Sequence, residues 1–280
     1  MSDKILPLTN QKFLRDTLHK FWFYTKKALG QNFLIDPFSL DAIIEAAGIT
    51  AEDRVIEIWP GPWVLTQALI QTWAKVTALE IDEEVIPILK YTTQEPSNLE
   101  IFYQNAMEFL PTFSDYILCA NIPYYLTSPL IRHYLGWKFR PKTLVFLMQK
   151  EVAQRICAKT TDLSVLSLEV LVFWKPKIVQ IVEREKFFPA PKVESAILKV
   201  EVYNEPLVER GDLALFWDLI HHCFKERRKK ISNTFSKYRE MWAVNSSLIL
   251  EKAWIDWNRR PQTLQVEEWK NLLKVCKELL

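Results

Sequence analysis

The chain has 280 residues, of which 49% are hydrophobic, and its 36 basic side chains nearly balance 34 acidic ones to leave a formal charge of +2. That length and apolar content suffice for a full hydrophobic core and exclude a disordered chain. The net charge excludes little by itself, whereas local clusters of basic residues can contact a phosphate backbone.

Cysteine and histidine usage predicts neither a disulfide framework nor a metal site. The four cysteines are far apart and form no CxxC pair, and the four histidines lack metal-ligand spacing. The apolar run 165–174 is interrupted by Glu169 and is too short to span a bilayer, and the first residues do not form a signal peptide. We therefore expect free thiols in a reducing compartment, no metal, no membrane association and a cytoplasmic location.

The first part of the chain predicts a short arm followed by a loop and a helix. Residues 1–29 are basic, aromatic and partly helical in pattern. A loop is expected over residues 30–36. Pro37 is well placed for the first turn of a helix that continues to about Ala47.

Strand and helix patterns then alternate, which predicts right-handed βαβ units and a mostly parallel sheet covered on both faces. The predicted strands are 54–59, 75–82, 99–105, 116–122 and 143–149. The predicted helices are 63–72, 84–93, 127–135 and 150–158.

The last third of the chain predicts an edge to this sheet and then a change of fold class. Two late strands, about 177–183 and 195–203, are expected to pair as an antiparallel edge. Residues 204–206 predict a linker, and the apolar spacing from Asp212 onward is helical. The sequence thus predicts an arm over 1–29, an α/β domain over 30–203 and a small all-helical domain over 204–280.

A motif of chemical interest follows the buried strand pattern at 116–120. Asn121 can accept a hydrogen bond through its side-chain oxygen, the Pro123 carbonyl is free for another, and Tyr124 offers a face to a planar base. Such a site suits an exocyclic amine at the edge of the sheet where ligands bind. For these four residues alone, an ordinary turn is the more common alternative.

The turn after the first predicted strand resembles a nucleotide-binding turn, in which glycine lets the backbone approach a ligand. Here a single glycine, Gly61, stands between Trp59 and Trp63. Glu80 ends the second strand at the spacing from this turn that is expected of a ribose-hydroxyl acceptor. A solvated strand end is the alternative for Glu80 alone.

Several motifs occur in one order along the chain and together resemble the ribosomal RNA adenine N6,N6-dimethyltransferase family. They are Gly30-Gln31-Asn32-Phe33-Leu34, Glu57-Ile58 with Pro60-Gly61, Leu79-Glu80-Ile81-Asp82, Asn121-Ile122-Pro123-Tyr124, and the segments 149–155 and 187–195. The resemblance runs from about residue 20 to the C-terminus. In the helical tail, segments 224–230 and 260–264 resemble the small-subunit branch rather than the antibiotic-resistance branch.

The resemblance implies a Rossmann-like methyltransferase sheet with a pocket for S-adenosyl-L-methionine. The implied cofactor-binding residues are Gln31, Asn32, Leu34, Glu57, Trp59, Gly61, Glu80, Asn105, Ala106 and Asn121. Asn105 stands where the family has aspartate, and its amide oxygen can still accept a hydrogen bond, more weakly than a charged group.

The implied catalytic residues are Asn121, Pro123, Tyr124 and Phe187. The target adenine would flip into the pocket between Tyr124 and Phe187, where its amine bonds to Asn121 and the Pro123 carbonyl. The implied activity is N6,N6-dimethylation of two adjacent adenines in small-subunit ribosomal RNA during ribosome biogenesis. On residue type alone, Phe187 is also a candidate core residue.

The expected partner is the RNA of the pre-ribosomal small subunit, bound by a monomeric protein. The expected RNA-binding residues are Lys26, Lys27, Lys225, Arg227, Arg228, Lys229 and Lys230. One alternative is a large-subunit rRNA methyltransferase that confers antibiotic resistance. Another is a ribosome-assembly or transcription factor that binds nucleic acid without catalysis.

Tryptophan and glycine usage departs from the family pattern, since the chain has eleven tryptophans and only five glycines. Tryptophans 22, 59, 63, 73 and 254 stand where the family usually has glycine, and an indole at position 59 fills space that a cofactor needs. Three hypotheses explain this departure. The chain is a non-catalytic relative, or it is an enzyme with a rearranged pocket. In the third, its gene contains UGA codons, which some bacteria read as glycine, and the given sequence translates them as tryptophan. We favour the third hypothesis, because the tryptophan surplus matches the glycine deficit at these positions.

Overall fold

The computed structural model describes residues 9–26, 31–62, 64–122, 126–136, 138–158, 163–203, 205–238 and 246–279. The chain divides into two compact units, Met1–Ala153 with Lys177–Val202, and Gln154–Pro176 with Tyr203–Leu280. The second unit thus includes a segment before the last two strands of the sheet. The domain boundaries expected from the sequence stay predictions.

The described residues form nine strands and eleven α-helices. The strands are β1 (Phe33–Leu34), β2 (Arg54–Ile58), β3 (Lys75–Glu80), β4 (Leu99–Tyr103), β5 (Ile117–Asn121), β6 (Thr143–Gln149), β7 (Trp174–Val182), β8 (Phe187–Phe188) and β9 (Ser195–Val202). The helices are α1 (Gln11–Lys20), α2 (Pro37–Ala47), α3 (Val64–Gln71), α4 (Ile86–Thr93), α5 (Thr127–Gly136), α6 (Lys150–Ile156), α7 (Val165–Phe173), α8 (Leu213–Phe224), α9 (Ile231–Phe235), α10 (Ser246–Lys252) and α11 (Val266–Leu279).

Seven strands form one sheet in the order β4-β3-β2-β5-β6-β9-β7. The pairs β2/β3, β2/β5, β3/β4 and β5/β6 are parallel, and β9 runs antiparallel to β6. This confirms the predicted α/β fold class, including an antiparallel strand beyond the parallel ones. The inner strands are mostly apolar because helices cover both faces of such a sheet.

The register of the central strands places their carboxyl ends side by side. Ile58 of β2 lies opposite Leu79 of β3 and Ala120 of β5. Glu80 and Asn121, which follow these residues directly, therefore lie at one edge of the sheet. Open parallel sheets bind ligands at this edge.

One segment differs from the sequence prediction, and one helix was not predicted. Residues 30–36 were expected as a loop, but Phe33 pairs with Phe188 and Leu34 with Phe187 in a short antiparallel sheet of β1 and β8. The apolar run at 165–174 contributes α7, whose capping box joins Ser164 and Ser167. Local sequence patterns miss β1 because its partner is distant in the chain.

The second unit is helical and has its own core. Phe216, Leu219, Phe235 and Trp269 are among its fully buried side chains. The basic segment 225–230 connects α8 to α9 and exposes all five of its basic side chains. Among the described residues, no helix has the length and apolar content needed to cross a membrane.

Five helices of the described chain are followed by a residue with a positive φ, and three of these residues are tryptophans. Gly48 and Gln94 follow α2 and α4 with φ of 61° and 58°, whereas Trp22, Trp73 and Trp254 follow α1, α3 and α10 with φ of 54°, 66° and 59°. After α10, Trp254 donates its N–H to Glu251 and Ile255 donates to Leu250, as in a Schellman motif. Glycine usually occupies this position because a Cβ is strained there.

Replacing Trp254 with glycine is expected to stabilise the protein by about 1 kcal/mol, because the backbone strain of a left-handed residue disappears. Urea denaturation of Trp254→Gly measures this change. Gly48→Ala is the matched control and is expected to lose a similar amount, since no atom lies within 4 Å of the Cβ that it adds. A Trp254→Gly protein that is less stable than the parent would contradict the strain argument.

Candidate active site

The carboxylate of Glu80 joins the ends of β2 and β3. Its Oε1 accepts hydrogen bonds from the N–H groups of Ile81 at 2.8 Å and Asp82 at 2.9 Å, and its Oε2 accepts one from Gly61 at 3.2 Å. The side chain is 3% exposed, and this burial raises its pKa to about 7 despite the three bonds. Glu80 therefore fixes the turn that contains Gly61.

Glu57 is a second buried carboxyl group close to this edge. It is 1% exposed, and no hydrogen bond of normal geometry reaches its carboxylate oxygens from the described residues. Burial raises its pKa to about 8; the neighbouring Thr66 hydroxyl opposes this shift, and the charge of Glu80 adds to it. Glu57 is thus largely neutral near pH 7, when it can donate a hydrogen bond as well as accept one.

Asn121, at the end of β5, is oriented by the segment before β1. Its Nδ2 donates to the carbonyl of Asn32 at 2.9 Å. This bond uses the donor side of the amide, so Oδ1 faces away from Asn32. The predicted acceptor at this position therefore has a fixed orientation.

Gln31 lies in a polar cluster with an ion pair. Its Nε2 donates to Asp82 at 3.0 Å, and its Oε1 accepts from the backbone N–H of Lys26 at 2.7 Å. Lys26 also contacts Asp82 at 2.9 Å and Glu84 at 2.8 Å, and these carboxylates raise the pKa of its amine. Much of the charge of Lys26, an expected RNA-binding residue, is thus neutralised within the first unit.

Phe187, Asn105 and Ala106 are three further site residues predicted from the sequence. Phe187 lies opposite Leu34, is 4% exposed and belongs to the hydrophobic core of the first unit.

Asn105 accepts from the N–H of Met107 at 3.0 Å and donates to Glu108 at 3.1 Å. Ala106 is fully buried, and Tyr134 donates to its carbonyl at 3.0 Å.

Some predicted residues lie outside this constellation. Pro123, Tyr124, Lys27 and Trp63 are not among the described residues. Lys225 and segment 227–230 belong to the second unit, where their side chains are exposed. The roles assigned to all of these residues stay predictions.

Sequence reasoning did not assign Asp82 to the site, although its carboxylate holds both Gln31 and Lys26. It also missed the packing of Phe33 on the turn, where a Cβ added to Gly61 would lie 3.2 Å from the Phe33 ring. In the sequence, the position of Asp82 two residues after Glu80 is only a weak indication that it belongs to the site. No local signal identifies Phe33, because its contact depends on the tertiary fold.

A small cavity at the sheet edge brings together Leu34, Glu57, Trp59 and Asn121, four of the predicted site residues. Its volume is about 30 Å³, enough for one or two water molecules. Typical small-molecule sites measure about 300–1,000 Å³. The polar groups at this edge fit a nucleoside cofactor such as S-adenosylmethionine, but the space beside the indole of Trp59 does not.

Comparisons with known proteins agree with the sheet and its edge. The sequence profile of a family described as ribosomal RNA adenine dimethylase matches residues 23–272. A protein of Alkaliphilus metalliredigens named ribosomal RNA small subunit methyltransferase A is 38% identical, over 97% of this chain and 98% of its own length. A protein of the same name from Bacillus licheniformis is 35% identical, over 95% of this chain and 96% of its own length.

Two solved structures share the fold. A dimethyladenosine transferase from Plasmodium falciparum superposes with a TM-score of 0.75 at 29% identity, over 89% of this chain and 98% of that chain. The 23S rRNA methyltransferase ErmE also has a TM-score of 0.75, at 24% identity and over 88% of this chain and 99% of that chain. The likeness to ErmE concerns the fold alone.

The raised pKa of a buried carboxyl group, Glu57, predicts that the free energy of unfolding falls as the pH rises. Glu57 ionises near its ordinary value of 4.5 in the unfolded chain but only at about 8 in the folded protein. Its contribution to stability is complete below about pH 4.5 and is lost as the pH rises through 8. In this window, Glu57→Gln is expected to flatten the decline in unfolding free energy by about 1.4 kcal/mol per pH unit.

Chemical denaturation at a series of pH values tests this prediction. Glu45→Gln is a matched control, because Glu45 is exposed on α2 and stays in water in both states. In this variant the free energy of unfolding is expected to depend on pH as it does in the parent protein. An unchanged slope in Glu57→Gln would show that Glu57 ionises at its ordinary pH in the folded protein.

Proposed function

Because the chain belongs to the ribosomal RNA adenine dimethylase family, we propose that it transfers methyl groups from S-adenosylmethionine to the N6 amines of two adjacent adenines in small-subunit ribosomal RNA. The observation that carries this proposal is the placement of Asn121 and Glu80 at one edge of the parallel sheet, where Leu34 and Asn121 line the same cavity. We place the reaction in the cytoplasm, on the pre-ribosomal small subunit, with a monomeric enzyme.

The chemistry requires alignment more than a strong base. The N6 amine of adenine is conjugated with the ring and is a poor nucleophile, so a fixed acceptor that orients it lowers the barrier. Asn121 has this role through Oδ1, with its amide held by the carbonyl of Asn32 at 2.9 Å. The Pro123 carbonyl and the Tyr124 ring complete the proposed adenine site.

Phe187 has the second stacking role in the proposal. Extruding a base costs a few kcal/mol, which stacking in the pocket offsets. At 4% exposure, the ring of Phe187 must shift slightly to present a face to the base. Its position opposite Leu34 in the short β1/β8 sheet places it close to the proposed cofactor site.

Small-subunit RNA is favoured over the two alternatives. Relatives that match nearly the whole chain at 35–38% identity carry the name of a small-subunit methyltransferase. A large-subunit substrate has support only from likeness of fold to ErmE, at 24% identity. A non-catalytic nucleic-acid-binding factor would explain the closed cavity, but not the orientation of Asn121.

The exposed basic segment of the second unit is the proposed RNA contact. Arg227 and Arg228 are exposed between α8 and α9, and no acidic partner of either is present among the described ion pairs. Lys229 pairs with Glu226, and Lys230 donates to Asn258 at 2.7 Å. The two arginines therefore offer the strongest contact to phosphates in this segment.

Methyl transfer to unmethylated small subunits tests the proposed activity. A Trp59→Gly/Trp63→Gly chain is expected to incorporate labelled methyl groups at two adenines, and Asn121→Ala in that background should reduce the rate on the order of 100-fold. Asn98→Ala is the matched control, since Asn98 bonds the carbonyls of Ile70 and Ala74 away from the site. Equal rates for both alanine variants would refute the role of Asn121.

The salt dependence of RNA binding tests the basic segment. Each phosphate contact that is lost should lower the slope of log K against log salt by about 1, so Arg227→Ala/Arg228→Ala should lower it by about 2. Lys270→Ala is the control, because Lys270 pairs with Glu267 on α11. If the arginine variant keeps the parent's slope, the RNA contacts lie elsewhere.

A further inference from the structure

The tryptophans of this chain fall into two classes by backbone conformation. The structure describes eight of them, and Trp22, Trp59, Trp73 and Trp254 have positive φ between 50° and 66°. Only three other non-glycine residues of the described chain have a positive φ: Gln94, Glu95 and Asp115. A bulky aromatic residue is an outlier there, so half of the described tryptophans occupy a conformation that disfavours them.

Three of these tryptophans occupy the position that glycine occupies after another helix. Gly48 donates its N–H to Glu45 at the end of α2, and Trp22, Trp73 and Trp254 donate theirs to His19, Ile70 and Glu251 at the ends of α1, α3 and α10. In each case the acceptor lies three residues earlier. The backbone therefore repeats one glycine-dependent helix ending four times.

No packing compensates for the strain at these helix ends. Trp22, Trp73 and Trp254 are 82%, 76% and 87% exposed. Large aromatic side chains usually gain their stability by burial. An indole in water on a strained backbone has no structural advantage at these three positions.

Trp59 presents the same conformation inside the candidate site. Its φ is 50°, and Gly61 follows two residues later with φ 56°. The indole lines the cavity of about 30 Å³ at the end of β2. A glycine at position 59 relieves the backbone and removes the side chain that limits this cavity.

The second class of tryptophans behaves as tryptophan normally does. Trp174 has φ −152° at the start of β7, and Trp269 lies within α11. Both are fully buried and are among the largest buried side chains of the described chain. Replacing either with glycine leaves a cavity in the second unit, to whose compact core Trp269 belongs.

We infer that the functional protein carries glycine at positions 22, 59, 73 and 254. The gene encodes these four positions with UGA codons, which the source organism reads as glycine. Tryptophans 174 and 269 are encoded by UGG and are genuine. One change of codon meaning accounts for the three strained helix ends and the closed cavity together, and it raises the number of glycines from five to nine. The inference depends on backbone conformation and does not require the proposed activity.

The codons of the gene are the first test. Positions 22, 59, 73 and 254 are expected to be UGA, and positions 174 and 269 UGG. The same genome should encode a glycine transfer RNA with the complementary anticodon UCA. UGG at position 59, or UGA at position 174 or 269, overturns the inference.

Peptide mass spectrometry of the protein from its own cells is the second test. Glycine is expected at positions 22, 59, 73 and 254, and tryptophan at 174 and 269. Tryptophan at the first four positions overturns the inference even where their codons are UGA, because the organism would then read UGA as tryptophan. Neither measurement uses cofactor or RNA, so a failure of the proposed activity cannot be mistaken for a failure of this inference.

Discussion

The carboxylate of Glu80 is the interaction on which the edge of the sheet depends. It accepts three backbone hydrogen bonds, from Gly61, Ile81 and Asp82, and so connects the turn after β2 to the end of β3. Hydrogen bonds to a charged group are stronger than neutral ones, and burial strengthens them further. Replacing Glu80 would release the turn and the residues that follow it.

This edge contains groups that a fold built only for stability would avoid. Glu57 and Glu80 are both buried, and their pKa values are raised to about 8 and about 7. Both resist ionisation mainly because burial removes water from the charged form. The charge of Glu80 adds to this effect at Glu57, and the charge of Asp82 adds to it at Glu80. Strongly perturbed carboxyl groups of this kind cluster at functional sites. Trp59 adds backbone strain at the same place, and a glycine there would remove it.

The two compact units differ in chemistry. The first unit contains the parallel sheet, the buried carboxyl groups and the oriented amide of Asn121. The second unit contributes a helical core and an exposed basic segment in which Arg227 and Arg228 are available to phosphates. Methylation of a base within a large RNA requires both functions, since phosphate contacts position the RNA and a shaped pocket selects the base.

The sequence by itself determined the strand and helix alternation, the fold class and the family, because apolar periodicity and ordered motifs are local properties of the chain. It also located Glu80 and Asn121, each at the end of an apolar strand. Tertiary structure decided which side chains complete the site. Phe187 reaches Leu34 only through the pairing of β1 with β8, and Gln31, Lys26 and Asp82 meet although they are distant in the chain. Only the folded backbone, through its φ angles, separated strained tryptophans from buried ones, because a residue's name does not reveal its conformation.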